Sequence, residues 1–167
     1  KGEVVSIEEK GSGELLTFNQ KIYCEGKLKV LMSSVLFFRG DKKSSSEKKE
    51  IDFSGYVDFG QIKIKRDMIG AYAEASGDMN PIHINETVAK SVGFNDIILH
   101  GLGTLAIVVG KILDCGQLKS IIKVRFAKPV YPEDILSILV SAKDDELTFK
   151  TVTKDGIVLD NGFIKVG

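Results

Sequence analysis

Apolar residues follow two kinds of pattern along this chain. Over residues 1–40 they come in short β-branched or alternating runs. Val4-Val5-Ser6-Ile7 is the first, and Leu15 to Tyr23 is longer, with alternation at its end. Leu28 to Phe38 carries Val30, Leu31, Val35, Phe37 and Phe38. Gly11-Ser12-Gly13 and Glu25-Gly26-Lys27 supply the turns, so the pattern predicts three antiparallel strands in a meander. No helical period covers one face of them, so this piece must pack on the rest of the chain or on a partner.

Residues 51–167 read differently. A strand is expected from Tyr56 to Ile64. A helix follows from about Arg66 to Ala75, with Ile69, Tyr72 and Ala73 on one face. The irregular stretch Ser76 to Pro81 comes next, then a short helix capped near Asn85, with Ala89 and Val92 inward. A longer helix from about Gly101 to Leu113 is apolar on most sides and is expected to be buried, with Gly116 as its C-cap residue. Four strands close the chain, near 119–128, 134–142, 146–153 and 156–166, and Asp155-Gly156 is a hairpin signal between the last two. One buried helix followed by a run of antiparallel strands is an α+β layout.

Between the halves lie residues 41–50, DKKSSSEKKE. They are polar, charged and without periodicity, and read as a linker rather than a long hairpin turn. The expected organisation is a three-stranded segment over 1–40, a linker over 41–50 and the α+β domain over 51–167.

Charge and cysteine content narrow the function classes. Lys plus Arg is 23 and Asp plus Glu is 23 in 167 residues. That balance argues against a nucleic-acid binder, which needs a basic excess. The most apolar stretch, Leu102 to Leu113, is interrupted by Gly103, Gly110 and Lys111. It falls far short of the roughly 18 apolar residues of a membrane helix. Cys24 and Cys115 stand too far apart in sequence for a metal motif or a disulfide framework, which suits a reduced intracellular protein. No signal peptide opens the chain and no S-K-L tripeptide closes it, so the cytoplasm is the default expectation.

The chain has two histidines, His83 and His100, close together in sequence. Asp78, Asn80 and His83 form a polar cluster in an apolar neighbourhood. Pro81 pushes Asn80 out of the α region, and that bend can bring Asp78 and His83 to one side of a loop. A carboxylate beside an imidazole can hold one water and exchange a proton with it. The plainer reading is an N-capping Asp and a structural His. His100-Gly101 opens the apolar helix, whose first N–H groups lack intrahelical partners and favour developing negative charge. By itself the pair is equally compatible with close helix–sheet packing.

Taken together, the run Tyr72-Ala73-Glu74-Ala75-Ser76-Gly77-Asp78-Met79-Asn80-Pro81-Ile82-His83-Ile84-Asn85, then Gly93-Phe94 and Ile98-Leu99-His100-Gly101, resembles the MaoC-like hydratases. It looks most like the R-specific enoyl-CoA hydratases (hydratase 2), which have the hotdog fold. Arg125-Phe126-Ala127-Lys128-Pro129-Val130-Tyr131-Pro132-Glu133-Asp134 is similar to the family's R-F-x-x-P-V-x-P-G-D segment, with Glu133 in place of the usual glycine. The resemblance covers about residues 51–167. It implies a long central helix wrapped by an antiparallel sheet. Residues 1–40 then resemble part of a degenerate first hotdog, its first half lying upstream or on another chain.

The resemblance also implies roles. Asp78 and His83 match the water-activating pair, and Gly101 matches the backbone N–H that holds the thioester oxygen. Asn80 and Ser76 match positions that orient the loop, and His100 matches a structural anchor. Met79, Ile98, Leu99 and Leu102 are candidates to line the acyl pocket, with plain core packing as the alternative. Lys123, Arg125 and Lys128 could meet CoA phosphates or form a solvated strand face. The implied reaction is reversible hydration of trans-2-enoyl-CoA to (R)-3-hydroxyacyl-CoA. It calls for no metal and no cofactor beyond coenzyme A as part of the substrate. The expected partner is an acyl-CoA, in a homodimer, a higher homo-oligomer or a pairing with a second hotdog chain.

Three other functions compete. One is a hydratase or dehydratase acting on another thioester, carried by acyl carrier protein or bearing a branched or dicarboxylic acyl group. A thioesterase with a carboxylate on the central helix is disfavoured, because Leu102 to Leu113 contains none. A non-catalytic acyl-CoA-binding subunit is disfavoured because both Asp78 and His83 are present.

Overall fold

Alternation of apolar side chains and well-placed caps account for most of the elements. The computed structural model describes residues 1–11, 13–40, 52–113, 120–143 and 146–166. It divides into two units, over residues 1–51 and 52–167.

The first unit holds β1 (Gly2–Lys10), β2 (Gly13–Cys24) and β3 (Lys27–Arg39). They form one antiparallel sheet in the order β1-β2-β3. Glu25 and Gly26 both take positive φ, at 51° and 73°, as a tight hairpin turn requires. Many of its apolar side chains are exposed, Ile7, Leu31 and Val35 among them. Three strands leave much apolar surface uncovered, as the absence of a helical period implied.

The second unit begins with β4 (Val57–Lys63), α1 (Arg66–Ser76), α2 (Pro81–Ile84), α3 (Glu86–Ser91) and α4 (Gly101–Ile112). β5 (Ser120–Phe126), β6 (Ile135–Lys143), β7 (Glu146–Thr153) and β8 (Gly156–Val166) follow. The five strands make one antiparallel sheet in the order β4-β6-β7-β8-β5. Leu136, Ile138 and Val140 alternate inward along β6. They join Phe149, Val158, Leu159 and Ile164 from the neighbouring strands, Ile69 of α1 and Val108 of α4 in one apolar cluster. A helix laid against an antiparallel sheet is the α+β hotdog arrangement.

Local chemistry sets the helix ends. Gly77 closes α1 in the left-handed region (φ 74°), its N–H bonded to Ala73 O. Asn80 caps α2 by accepting from the Ile82 N–H, and Pro81 occupies the first turn, where its missing N–H costs nothing. Asn85 caps α3 by accepting from the Val88 N–H.

Several expectations need correction. Val92 was expected to face inward, but it is exposed, because α3 ends at Ser91 and Val92 is its C-cap. The apolar helix is not buried on most sides. Gly103, Thr104 and Val108 are buried, whereas Leu102 is 53% exposed. The amphipathic period still selects one inward face even where few polar residues mark the other. α4 ends at Ile112 with Leu113 as its C-cap; Gly116 lies outside the described residues, as does the 41–50 linker. The irregular stretch ends in the one-turn helix α2, too short to show a period.

Candidate active site

The site is assembled from three successive loops and the start of α4. Gly77 turns the chain out of α1 and exposes the Asp78 carboxylate, 56% accessible. Ser76 Oγ accepts from the Asp78 N–H at 3.2 Å, and Asp78 Oδ1 accepts from the Asn80 N–H at 3.2 Å. Asn80 sits at φ −55°, ψ 126°, the extended conformation that a following proline enforces. α2 then carries His83 back beneath the loop, buried at 7% exposure.

His83 Nδ1 lies 2.7 Å from Ile98 O. A carbonyl can only accept, so Nδ1 carries the proton and Nε2 keeps its lone pair. His100 Nε2 lies 2.9 Å from Asp78 O, so by the same argument it donates, and His100 Nδ1 is left buried without a hydrogen-bond partner. The two imidazoles stack, with centroids 3.5 Å apart and planes 22° from parallel. Tyr72 leans on the other neighbour, its ring 4.9 Å from that of His100. Gly103 makes this possible: a Cβ there would stand 3.1 Å from the Tyr72 ring.

Asp78, His83 and His100 each place a side-chain N or O within 4.8 Å of the others. Two hydrogen bonds of about 2.8 Å meeting at a tetrahedral oxygen span roughly 4.6 Å, so this spacing fits one water. It is also short enough for a cation, but the His100 nitrogen that faces the Asp78 carboxylate, Nε2 at 3.8 Å, already donates to Asp78 O. Burial pushes the His83 imidazole below its ordinary pKa, the hydrogen bond to Ile98 O opposes that, positive charge on His100 adds to it, and Asp78 opposes it. His83 is therefore held as a neutral base.

A cavity of about 270 Å³ opens beside His83, with Ile98, Gly101, Thr104, Phe126 and Val130 among its walls. His100 is the N-cap of α4, yet its side chain makes no cap hydrogen bond, having been directed to Asp78 O instead. Gly101, the first residue of α4, borders the cavity at a helix end whose first N–H groups have no intrahelical partner. A Cβ on Gly101 would stand 3.1 Å from the Phe126 ring, so glycine is what lets the ring lie against the start of α4.

Of the candidate residues, His83, Ile98, Leu99 and Gly101 border the cavity, while Ser76, Asp78, Met79, Asn80, Leu102 and Arg125 do not. Met79 and Leu102 are exposed at 54% and 53%. Arg125 pairs across the sheet with Asp160. Lys123 lies over the Phe163 ring. Lys128 borders the cavity and donates to Asp155 O. Phe94, Thr104, Phe126, Val158 and Leu159 also line it and were not singled out. Phe94 and Phe126 stood inside the quoted motif, and Thr104 lies one helical turn beyond Gly101. The β8 pair has no local signal, because only the sheet register brings it there.

These features define a hotdog unit with an Asp78–His83–His100 cluster whose His83 borders an apolar cavity. Residues 52–161 match the MaoC like domain, and the chain belongs to that family. It is 37% identical over 108 residues to the peroxisomal hydratase-dehydrogenase-epimerase of Saccharomyces cerevisiae, covering 64% of this chain and 12% of that one. It is 40% identical over 100 residues to a probable enoyl-CoA hydratase 2 of Dictyostelium discoideum, covering 54% of this chain and 34% of that one. The solved structure of full-length peroxisomal multifunctional enzyme type 2 from Drosophila melanogaster superposes with a TM-score of 0.81 at 28% identity, over 99% of this chain and 33% of that one. The chain thus spans about a third or less of these relatives' lengths. Among the described residues no helix is long and apolar enough to cross a membrane.

Proposed function

We propose that this chain catalyses reversible hydration of a trans-2-enoyl thioester, with enoyl-CoA as substrate and (R)-3-hydroxyacyl-CoA as product. The observation that carries the reading is the spacing of Asp78 and His83, within 4.8 Å of each other, beside the cavity that Gly101 borders. The hydratase names of two relatives support it.

In this reading the Asp78 carboxylate and His83 Nε2 hold one water. Its oxygen attacks C3 while the dyad takes a proton. The C2–C3 π electrons move toward the thioester carbonyl, whose oxygen gains negative charge and is held by the Gly101 N–H. The proton returns to C2. One π bond is lost, a C–O and a C–H bond form, and one water is consumed. The addition is complete without a metal or redox cofactor, and coenzyme A enters only as part of the substrate. Ser76 and Asn80 position the Asp78 loop, and Ile98 contacts the acyl chain. Met79, Leu102 and Arg125 take substrate-binding roles beyond the cavity itself.

Met79, Leu102 and Phe126 leave apolar surface exposed near the site. This supports a working form in which a second hotdog unit, from another copy or another chain, completes the acyl tunnel. Fractionation of the tagged protein tests the cytoplasmic expectation against the peroxisome named for relatives.

The test is chiral analysis of the product from a panel of enoyl thioesters on CoA and on acyl carrier protein. R-3-hydroxyacyl-CoA is expected. S-product, or turnover of the carrier-protein substrates alone, overturns the reading.

A further inference from the structure

The proposed chemistry gives His100 nothing to do, yet it is among the most buried polar residues of the chain, at 3% exposure. An imidazole used only to anchor the Asp78 loop would not need to lie flat on a second imidazole. Here the rings are 3.5 Å apart, and Tyr72 closes the far side of His100. The sequence builds this stack deliberately: Gly103 clears the space for Tyr72, and the helix forgoes a side-chain cap so that His100 can reach Asp78 O.

Both rings spend a proton on a backbone carbonyl, His83 through Nδ1 and His100 through Nε2. Each then has one bare nitrogen. On His100 it is enclosed without a partner; on His83 it is the proposed base. A proton on either ring places a positive charge against the face of the other at 3.5 Å, where little water screens it. Positive charge on His100 therefore disfavours a proton on His83.

We propose that His100 is a positioning residue for His83: stacked on its ring and tied to the Asp78 carbonyl, it keeps His83 in the neutral Nδ1–H form with Nε2 free to take a proton from water. This rests on the hydratase reading for its purpose, but not for its test. The groups that face His83 are Asp78 from the loop after α1, His100 at the start of α4, Tyr72 of α1 behind it, and Lys128 on the same cavity. Among these, positive charge on His100 lowers the His83 pKa and Asp78 raises it.

With two histidines in the chain, nitrogen–proton correlation spectra of the imidazoles read both tautomers and the His83 titration directly. In the unmodified protein the expected forms are Nδ1–H for His83 and Nε2–H for His100. His100→Phe keeps a ring on His83 but removes the second charge. The His83 midpoint then rises, and the acid limb of kcat/KM moves up with it. His100→Gln keeps a donor without the ring. It disorders the dyad and lowers kcat by roughly 10- to 100-fold, as a misplaced catalytic group does. An unmoved His83 midpoint in His100→Phe overturns the proposal. Should neither variant fold, an Nε2–H form of His83 in the unmodified protein overturns it. A midpoint that shifts in a protein turning over no enoyl thioester supports the coupling and strikes only the hydratase reading.

Discussion

The imidazoles of His83 and His100 lie face to face, 3.5 Å between centroids, each anchored by one N–H to a backbone carbonyl. The contact joins residues that stand 17 positions apart, across α2, α3 and the loop that leads into α4. It fixes the orientation of the one imidazole that also borders the cavity. Consequences for acidity, for activity and for the tolerance of this region to substitution follow from it.

Removing either half of the dyad should remove turnover but not the fold. Asp78 is exposed, and its carboxylate accepts from the Asn80 N–H and lies 3.8 Å from His100 Nε2, so Asp78→Asn should leave the thermal midpoint within about 2 °C, as a surface change of under 0.5 kcal/mol does. General acid–base catalysis contributes typically 10²–10⁴-fold, and kcat should fall by about that much in Asp78→Asn and in His83→Ala. Circular dichroism beside steady-state rates checks both.

Acid should cost both activity and stability. Burial lowers the His83 pKa from its ordinary 6.5, so the folded protein refuses a proton that the unfolded chain accepts. Unfolding then takes up protons, and stability is full above about pH 6.5 and declines as pH falls through that value toward the folded pKa. Activity should persist below pH 6.5 and fall only as His83 itself is protonated. Denaturant melts at several pH values, run beside kcat/KM profiles, should therefore show stability declining before activity does.

Glu133 occupies the left-handed region at φ 71°, where the family pattern places glycine. A non-glycine residue there costs about 1 kcal/mol or more. Its carboxylate pairs with Lys63 at 2.6 Å, but both side chains are more than half exposed, and such pairs return little. Glu133→Gly should be neutral or stabilising by up to about 1 kcal/mol, and Glu133→Val should destabilise by more than that. Chemical denaturation curves of the two variants decide it.

Thr151 is fully buried on β7 with its hydroxyl unpaired. An unsatisfied buried polar group costs about 1–3 kcal/mol. Thr151→Val keeps the shape and removes the hydroxyl, so it should raise the melting temperature, by roughly 2–4 °C per kcal/mol in a chain of this size. An unchanged or lower value would mean that the hydroxyl finds a partner in solution.

The strands and most of their boundaries were legible because period two in β6, β-branched runs and the Asp155-Gly156 turn act locally, whereas the order that sets β5 beside β8 has no local signal. The bend at Asn80 was legible because proline restricts its predecessor, and it places Asp78 near His83 as that restriction implies. The inward face of α4 was not, since a helix apolar nearly all round shows no preferred side until the sheet selects Val108 over Leu102. Nor was the His83–His100 stack, which depends on the loop before α4 returning over α2, a tertiary event without a local pattern. Thr104, Val158 and Leu159 entered the cavity wall for the same reason.

The most direct measurement is hydration of crotonyl-CoA, followed by loss of the enoyl absorbance, for the unmodified protein and for His83→Ala. The account predicts turnover that gives R-product and falls at least 100-fold in the variant. Undiminished turnover in a well-folded His83→Ala protein would contradict it.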